Sequence, residues 1–306
     1  MIGSVHRAFP FAFAFALLCA GSAIAQQLEP RTYSNAPVGM NFLIAGFAHS
    51  SGGLSTNPAL RLTDAHLQVN TPIAAYAHAF DAWGHSAKFD AIVGGGCLSG
   101  SADQDGVPRS RDVCGLLDPA FRLSMAFFGA PAVSLKEFSG YRQDVIVGAS
   151  IQVFPPWGQY DPTRLVNLGT NRWTFRPEIG VSKALDALTL ELQLGVNLYT
   201  TNDDFFGGKV LEQDPMYYAQ AHLIYQFRNG AWLALNGTYY AGGRTTVNGV
   251  QGNDLQKASR LGATLALPVD RHNSIKLHAS TGVSLRTGTD FDTVGVAWQY
   301  RWGGGL

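Results

Sequence analysis

The strongest constraint on the fold comes from the stretch Leu188–Tyr199, in which aliphatic and polar residues alternate without a break. Every even-numbered position from Leu188 to Leu198 is aliphatic, whereas the odd positions between them are Thr, Glu, Gln, Gly and Asn. A period of two over this length predicts a β-strand with one apolar and one polar face. A tilted strand needs about 9–11 residues to cross the hydrocarbon of a bilayer. The stretch is therefore a long strand of a soluble sandwich or a lipid-facing strand of an outer-membrane barrel.

The amino terminus predicts export from the cytoplasm. A single base, Arg7, precedes an apolar run over residues 8–20, and Ala23 and Ala25 form a small-residue cleavage site. This order of features is typical of a secretory signal peptide. We expect a signal peptide at 1–25, a periplasmic lead-in at 26–39, a barrel over 40–302 and a carboxyl-terminal tail at 303–306.

Composition favours a barrel over a soluble sandwich. Beyond the signal peptide, no apolar run approaches the ~20 residues of a membrane helix, so only a closed barrel could span lipid. Charged residues are sparse at 14%, and the chain contains 35 glycines. The formal net charge is zero, which gives no reason to expect nucleic acid as a partner.

Twelve segments carry strand patterns. An even number of strands is what bacterial single-chain barrels have. The predicted strands are 40–49, 63–80, 86–97, 114–128, 143–154, 172–183, 188–200, 216–228, 231–241, 257–267, 274–286 and 291–302.

The links between these strands alternate between long and short. Residues 155–171 and 201–215 are long and polar, whereas Asn229 and Gly230 form a two-residue hairpin turn. The fourth link, 129–142, is longer than the alternation requires. Long extracellular loops and short periplasmic turns are the signature of outer-membrane barrels. The sequence therefore predicts an all-β, antiparallel transmembrane barrel in the bacterial outer membrane, in contact with its lipid.

The last predicted strand carries Trp298, Tyr300 and Trp302 on one face. Aromatic residues near strand ends form the girdles of such barrels. A terminal aromatic strand also resembles the signal that directs outer-membrane proteins to the barrel-assembly machinery. The chain departs from that signal because four further residues follow Trp302.

Several motifs resemble a known family. They are NAPVGMNF from Asn35, NLGTNRW from Asn167, RPEIG from Arg176, NDDFFGG from Asn202 and YYAGGRTT from Tyr239. Together with the strand spacing, they resemble the outer-membrane transporter family of the MetA pathway of phenol degradation, over essentially the whole mature chain. The resemblance implies a barrel that admits small, often aromatic, compounds, and it implies no catalytic motif.

If the aliphatic faces meet lipid, a set of charged and histidine residues faces the lumen. These residues either set the selectivity of a narrow channel or pair across strands and fill the lumen. Arg176, Glu178 and Glu191 lie in mid-strand on neighbouring strands, where a constriction is expected. The pore-lining candidates are Lys88, Asp90, Arg122, Arg172, Arg176, Glu178, Glu191, His222, Arg260, Lys276, His278 and Arg301.

Two cysteines follow the signal peptide, Cys97 and Cys114. The space outside the inner membrane is oxidising, so an intramolecular disulfide is expected. The two residues flank the third link, and we expect them at the outer ends of consecutive strands. Two Cys without clustered His do not predict a zinc site.

The sequence predicts a passive channel for small solutes, with no cofactor and no chemistry of its own. A structural or adhesive barrel with a filled lumen would carry the same strand pattern. A third alternative is an outer-membrane lipid hydrolase, which needs an oriented Ser–His pair. Only His49 with Ser50, and His272 with Ser274, bring these residue types close in sequence, and neither is a nucleophile motif.

Overall fold

The structure is a computed structural model, which describes residues 29–55, 62–104, 106–285 and 288–306. The predicted signal peptide lies outside the described residues. Among these residues, no helix is long and apolar enough to cross a membrane.

Nearly all regular structure is β-strand. One short helix, α1 (Leu135–Phe138), lies in the fourth link between wall strands. The strands are β1 (Met40–Ser55), β2 (Leu62–Ala82), β3 (His85–Gln104), β4 (Val107–Leu116), β5 (Ala120–Phe128), β6 (Val145–Phe154), β7 (Thr174–Leu185), β8 (Leu188–Tyr199), β9 (Asn202–Phe205), β10 (Lys209–Gln213), β11 (Met216–Gln226), β12 (Trp232–Gly242), β13 (Thr245–Val247), β14 (Val250–Gln251), β15 (Gln256–Pro268), β16 (Asn273–Leu285), β17 (Gly288–Thr289) and β18 (Asp292–Gly303).

The main sheet closes on itself. Its last strand, β18, pairs antiparallel with β1 from Met40 opposite Gly303 to Ser51 opposite Asp292. β4 and β5 form one wall strand that is interrupted at residues 117–119, and both pair with β3. The prediction of a 12-stranded antiparallel barrel is confirmed. Closure leaves no sheet edge in lipid, where unpaired backbone groups would cost several kcal/mol each.

The alternating strand Leu188–Tyr199 shows which face of the wall is apolar. Leu190, Leu192 and Leu194 are 47%, 50% and 49% exposed, whereas Glu191 and Gln193 are only 3% and 2% exposed. A soluble sandwich would bury the leucines and expose the acid. The apolar face therefore points outward to lipid, and the polar face points into the barrel.

The wall is uneven in height. β2 and β3 contain 21 and 20 residues, more than the 10 to 13 residues of β6 and β15. The region 98–113, which was predicted as a link, continues the ladder of β3 and β4 from Leu98 opposite Val113 to Gln104 opposite Val107. That expectation was wrong because Ser, Gly and Asp interrupt the apolar alternation there. The extra length extends beyond the ~9–11 residues that cross lipid.

Short strands within the extracellular links form a second sheet in the order β14-β13-β10-β9. These strands contain two to five residues each, too few to show a period in the sequence. The turns between β7 and β8, β11 and β12, and β15 and β16 are short, and they share the periplasmic end with Met40 and Gly303. The second sheet therefore lies at the opposite, extracellular end.

Candidate functional site in the barrel lumen

The periplasmic end of the lumen holds the N-terminal plug, which we define as residues 29–39. Tyr33 is 3% exposed, and its hydroxyl donates to Glu178 Oε1 at 2.8 Å. Its ring lies over Gly148 and Gly180, which have no side chains to obstruct it. The described part of the stretch that was predicted as a periplasmic lead-in is thus in contact with the inner wall.

Wall residues from separate strands hold the plug. Glu191 Oε2 accepts the backbone N–H of Arg31 at 2.7 Å, and Lys88 Nζ donates to the carbonyl of Thr32 at 2.5 Å. Lys276 Nζ lies 3.2 Å from Glu29 Oε1 in an ion pair. The plug therefore joins three parts of the wall that are far apart in sequence.

One charge pair lies within the wall itself. Arg122 Nε donates to Asp90 Oδ2 at 2.8 Å. The two residues are direct partners in the ladder between β3 and β5, so their side chains lie on the same face. This contact pairs two lumen charges across neighbouring strands.

A polar layer lies above the plug. Arg176 donates to Asn197 Oδ1 at 2.6 Å and to Gln152 Oε1 at 3.3 Å. The second oxygen of Glu178 accepts the hydroxyl of Tyr218 at 2.7 Å. Glu178 is thus shared between the plug and the wall, since its other oxygen binds Tyr33.

Two histidines end a hydrogen-bonded row that crosses four strands. His222 Nδ1 lies 2.8 Å from Asn236 Oδ1, and Asn236 Nδ2 donates to Thr264 Oγ1 at 3.0 Å. Thr264 Oγ1 then lies 3.3 Å from His278 Nδ1. Both predicted histidines therefore face the lumen, and neutral side chains connect them.

The remaining predicted cations lie at the ends of the lumen. Arg260 donates to the carbonyl of Phe291 at 2.5 Å near the extracellular end. Arg172 is buried, donates to the Gln213 side chain and stacks over the Tyr199 ring at 4.4 Å. Arg301 is exposed at the periplasmic rim, where Nε donates to the carbonyl of Arg271 at 2.7 Å. Its position in the alternation of β18 corresponds to the inward face, but it lies too near the end of β18 to line the lumen interior.

The extracellular end is filled by an apolar cluster, which we call the apolar cap. Its members come both from the inner faces of tall wall strands and from the extracellular links. The alternation alone does not predict it, because a wet lumen was expected to be polar. The buried members are Leu67, Val69, Leu98, Leu117, Leu168, Phe205, Leu211, Val247 and Phe291.

A small polar cavity lies between the plug and the polar layer. Glu29, Thr32, Arg122, Arg176 and Glu178 are among its lining residues. The cavity volume available to water is about 30 Å³, which is enough for roughly two water molecules. This cavity is too small for an aromatic ring while the plug is seated.

Neutral lumen residues outside the predicted pore-lining set complete the site. Gln152, Gln193 and Asn197 are all buried on inward positions of β6 and β8. Their signal is the parity that they share with Glu191 in the alternating strands. Tyr33 had no such signal, because its segment has no periodicity.

Cys97 and Cys114 form a disulfide, with their Cα atoms 4.1 Å apart. They are direct partners in the ladder between β3 and β4, and both side chains are exposed. The bond therefore lies midway along the hairpin, and the expectation that it would mark the strand ends was wrong. The strands continue past it on the extracellular side.

The two Ser–His candidates make other contacts. His49 Nδ1 lies 2.8 Å from Asn70 Oδ1, and Ser50 Oγ lies 2.9 Å from Thr293 Oγ1. His272 Nδ1 lies 3.0 Å from the carbonyl of Arg301. In the described part of the chain, no group of three or more His, Cys, Asp or Glu side chains is placed to hold a metal ion.

Comparison with known proteins supports the fold. None of the curated proteins matches this chain in sequence. The COG4313 outer membrane channel from Pseudomonas putida F1 is 20% identical, with a TM-score of 0.78 over 90% of this chain and 100% of that chain. The transport unit of the autotransporter AIDA-I from Escherichia coli is 9% identical, with a TM-score of 0.52 over 92% and 94% of the two chains.

Both likenesses place the chain among outer-membrane barrels. The closed wall and its apolar outer face agree with a position in the bacterial outer membrane. The model of the family described as "Putative MetA-pathway of phenol degradation" matches residues 48–300, and the chain therefore belongs to this family.

Proposed function

We propose that the protein is a passive outer-membrane channel for small solutes, including apolar and aromatic compounds. The observation that carries the proposal is how the lumen is filled. The wall closes through its own backbone ladder, and the N-terminal plug contacts it through side chains such as Glu191 and Lys88. Departure of the plug would therefore leave the wall intact.

The energies of these contacts suit a removable plug. Hydrogen bonds, including those to charged groups, contribute about 0.5–3 kcal/mol each in net terms. Eight such bonds that involve a side chain join residues 29–39 to other parts of the described chain, whereas β1 pairs with β18 through its backbone at twelve positions. Opening the wall would leave backbone groups unpaired in lipid, at several kcal/mol each, whereas the groups that the plug releases face a polar lumen.

The order of surfaces along the lumen suits solutes with an apolar body and a polar group. The apolar cap lies at the extracellular end, and the polar layer around Arg176 and Glu178 follows. The family description refers to phenol degradation, and phenol combines an apolar ring with one hydroxyl. The structure that shares this fold with a TM-score of 0.78 is itself described as a channel.

We propose pore-lining roles for the inward-facing charged and histidine residues and no catalytic role for any residue. Arg301 is left out because it lies exposed at the rim. The proposed set is Lys88, Asp90, Arg122, Arg172, Arg176, Glu178, Glu191, His222, Arg260, Lys276 and His278. The barrel-assembly machinery is the proposed partner for insertion, because β18 ends in the stacked aromatics Trp298, Tyr300 and Trp302.

The test measures flux through the refolded full-length protein. Single-channel conductance in planar bilayers and swelling of liposomes in small uncharged solutes would be compared for the wild type and Tyr33→Ala. Loss of the Tyr33 ring and its bond to Glu178 should increase both conductance and swelling. Tyr217→Ala is the matched control, because Tyr217 lies on the outer face of β11 and is 62% exposed.

Filling of the lumen at both ends favours a second candidate, a structural barrel with a permanent interior. The plug and the apolar cap together would then serve stability alone. Absence of conductance and swelling in both the wild type and Tyr33→Ala would support this candidate and contradict the channel.

A further inference from the structure

We propose that Arg172 is the centre of a binding site for aromatic carboxylates on the solute route. The proposal rests on the channel function, and it names a solute class that this function leaves open. It follows from a buried guanidinium whose charge meets no carboxylate within the described chain, and from the aromatic surface beside it.

Arg172 is only 4% exposed. Its Nη2 donates to the neutral side chain of Gln213, whereas Nε and Nη1 have no hydrogen-bond partner among the described residues. A buried cation without a counter-charge is costly, because desolvation of the charge is not offset. Two buried nitrogens without a partner among the described residues can donate to an acceptor from outside the chain.

Other lumen cations differ from Arg172 in this respect. Arg122 meets Asp90 at 2.8 Å, and Lys276 meets Glu29 at 3.2 Å. Their charges are balanced within the protein, so they have less need of a bound anion.

Asp118 is the acid to consider as a partner of Arg172, but other groups already donate hydrogen bonds to it. Asp118 accepts the backbone N–H groups of Gly158 and Thr170, each at 2.8 Å, and the Thr170 hydroxyl at 2.7 Å. The same Thr170 hydroxyl oxygen lies 3.1 Å from the carbonyl oxygen of Arg172. Asp118 thus fixes the backbone before Arg172, while its oxygens are satisfied by other donors.

The surroundings of the guanidinium select for an aromatic ring. Arg172 Cζ lies 4.4 Å from the centre of the Tyr199 ring. Tyr199 packs against a buried cluster of Met216, Tyr218 and Tyr240. Tyr199 is only partly buried and offers an apolar, polarisable ring to a solute, and the cation–π contact restrains the orientation of the guanidinium.

The site lies where the two solute surfaces of the lumen meet. Gln213 belongs to β10, which also contributes Leu211 to the apolar cap. Arg172 precedes β7, which carries Arg176 and Glu178 of the polar layer. A solute whose ring leaves the cap would bring its carboxylate to Arg172 first. A carboxylate forms a hydrogen bond there in which both partners are charged, whereas a neutral alcohol of the same size brings no charge of its own.

The experiment measures binding of benzoate, benzyl alcohol and acetate to refolded full-length protein in detergent micelles by titration calorimetry. Arg172→Gln should weaken benzoate binding by ~10-fold or more, because one charge-assisted hydrogen bond is lost. Benzyl alcohol should bind weakly and equally to both proteins. Arg109→Gln is the matched control, since Arg109 is exposed on the β3–β4 hairpin.

Equal affinity of the wild type and Arg172→Gln for benzoate would overturn the proposal. Equal losses for benzoate and benzyl alcohol would also overturn it, because the charge would then be irrelevant. If Arg172→Gln does not migrate as a folded barrel on an unheated gel, Tyr199→Leu replaces it. Loss of the ring should weaken benzoate binding but not acetate binding, and unchanged benzoate affinity would contradict the site.

The binding readout separates this proposal from the channel function. Benzoate binding that depends on Arg172, in a protein that shows no liposome flux, would support the proposed site and contradict the proposed channel function. Liposome flux in a protein whose benzoate binding does not depend on Arg172 would support the channel function and contradict the proposed site.

Discussion

The ring of Tyr33 occupies the space that any side chain at Gly180 would need. A Cβ atom at Gly180 would overlap the ring carbons Cε2 and Cδ2 of Tyr33. A Cβ atom at Gly148 would come within 2.5 Å of Cδ1 of the same ring. Two glycines on adjacent wall strands thus form the seat for one aromatic residue of the plug.

Gly180→Ala should therefore displace the plug, although the sequence of the plug is unchanged. We expect more frequent and longer openings in planar bilayers, because Tyr33 no longer fits against the wall. Gly148→Ala should act in the same direction. Gly237→Ala is the control, because its added Cβ would meet only Leu261 at 3.5 Å. Unchanged gating in both seat variants would contradict a removable plug.

Glu178 and Glu191 provide the negative charge at the centre of the lumen. Replacing both by Gln should shift selectivity toward anions, because the positive charges of Arg172 and Arg176 would then be in excess. The reversal potential in a potassium chloride gradient measures this shift. Asp203 and Asp204, exposed in β9, provide the matched control pair for substitution by Asn. A reversal potential that moves equally in both pairs would indicate a surface effect.

Asp118 fastens both ends of the link between β6 and β7 through Gly158 and Thr170. Asp118→Asn should loosen this link locally by about 1–3 kcal/mol, because the carboxylate's hydrogen bonds are weakened. Hydrogen exchange of the Gly158 and Thr170 amides should accelerate, and trypsin should cleave after exposed Arg164 more readily. Asp203→Asn, at an exposed position of β9, is the control. Unchanged exchange at both amides would contradict the role of Asp118.

Reduction of the Cys97–Cys114 disulfide should loosen the hairpin and leave the barrel folded. Closing a loop of this length stabilises by about 3 kcal/mol in the chain-entropy model, and by less where the strands already fix the ends. Trypsin should therefore cleave after Arg109 or Arg111 faster once the bond is reduced, while the gel shift between unheated and boiled samples persists. A double Cys97→Ser, Cys114→Ser variant should match the reduced protein. Loss of the gel shift on reduction would show that the bond supports the wall.

The wall could be predicted from sequence because its signal is local. Alternation within Leu188–Tyr199 needs no knowledge of distant residues, and the same holds for the lipid-crossing parts of the other wall strands. The inward direction of Glu178 and Glu191 follows from that parity. Arg301 shows where an inference from alternation fails, because a residue at the end of a strand is exposed whichever face it occupies.

The filled lumen could not be predicted in the same way. Tyr33 meets Glu178 across 145 positions of sequence, and Lys276 meets Glu29 across 247. Nothing in a short aperiodic segment signals such contacts. The apolar cap was missed for a related reason, since Phe205, Leu211 and Val247 lie in strands of three to five residues.

The tall hairpin of β3 and β4 has a consequence for crowding at the cell surface. β4 is paired with β3 along one edge, and within the described residues its other edge has no strand partner. Such an edge would ordinarily recruit a strand from a neighbouring molecule and start aggregation. Pro108 removes a backbone donor from it, and Arg109, Arg111 and Asp112 place charges along β4. The hairpin is therefore protected from pairing edge to edge with the β4 strands of neighbouring molecules in the membrane.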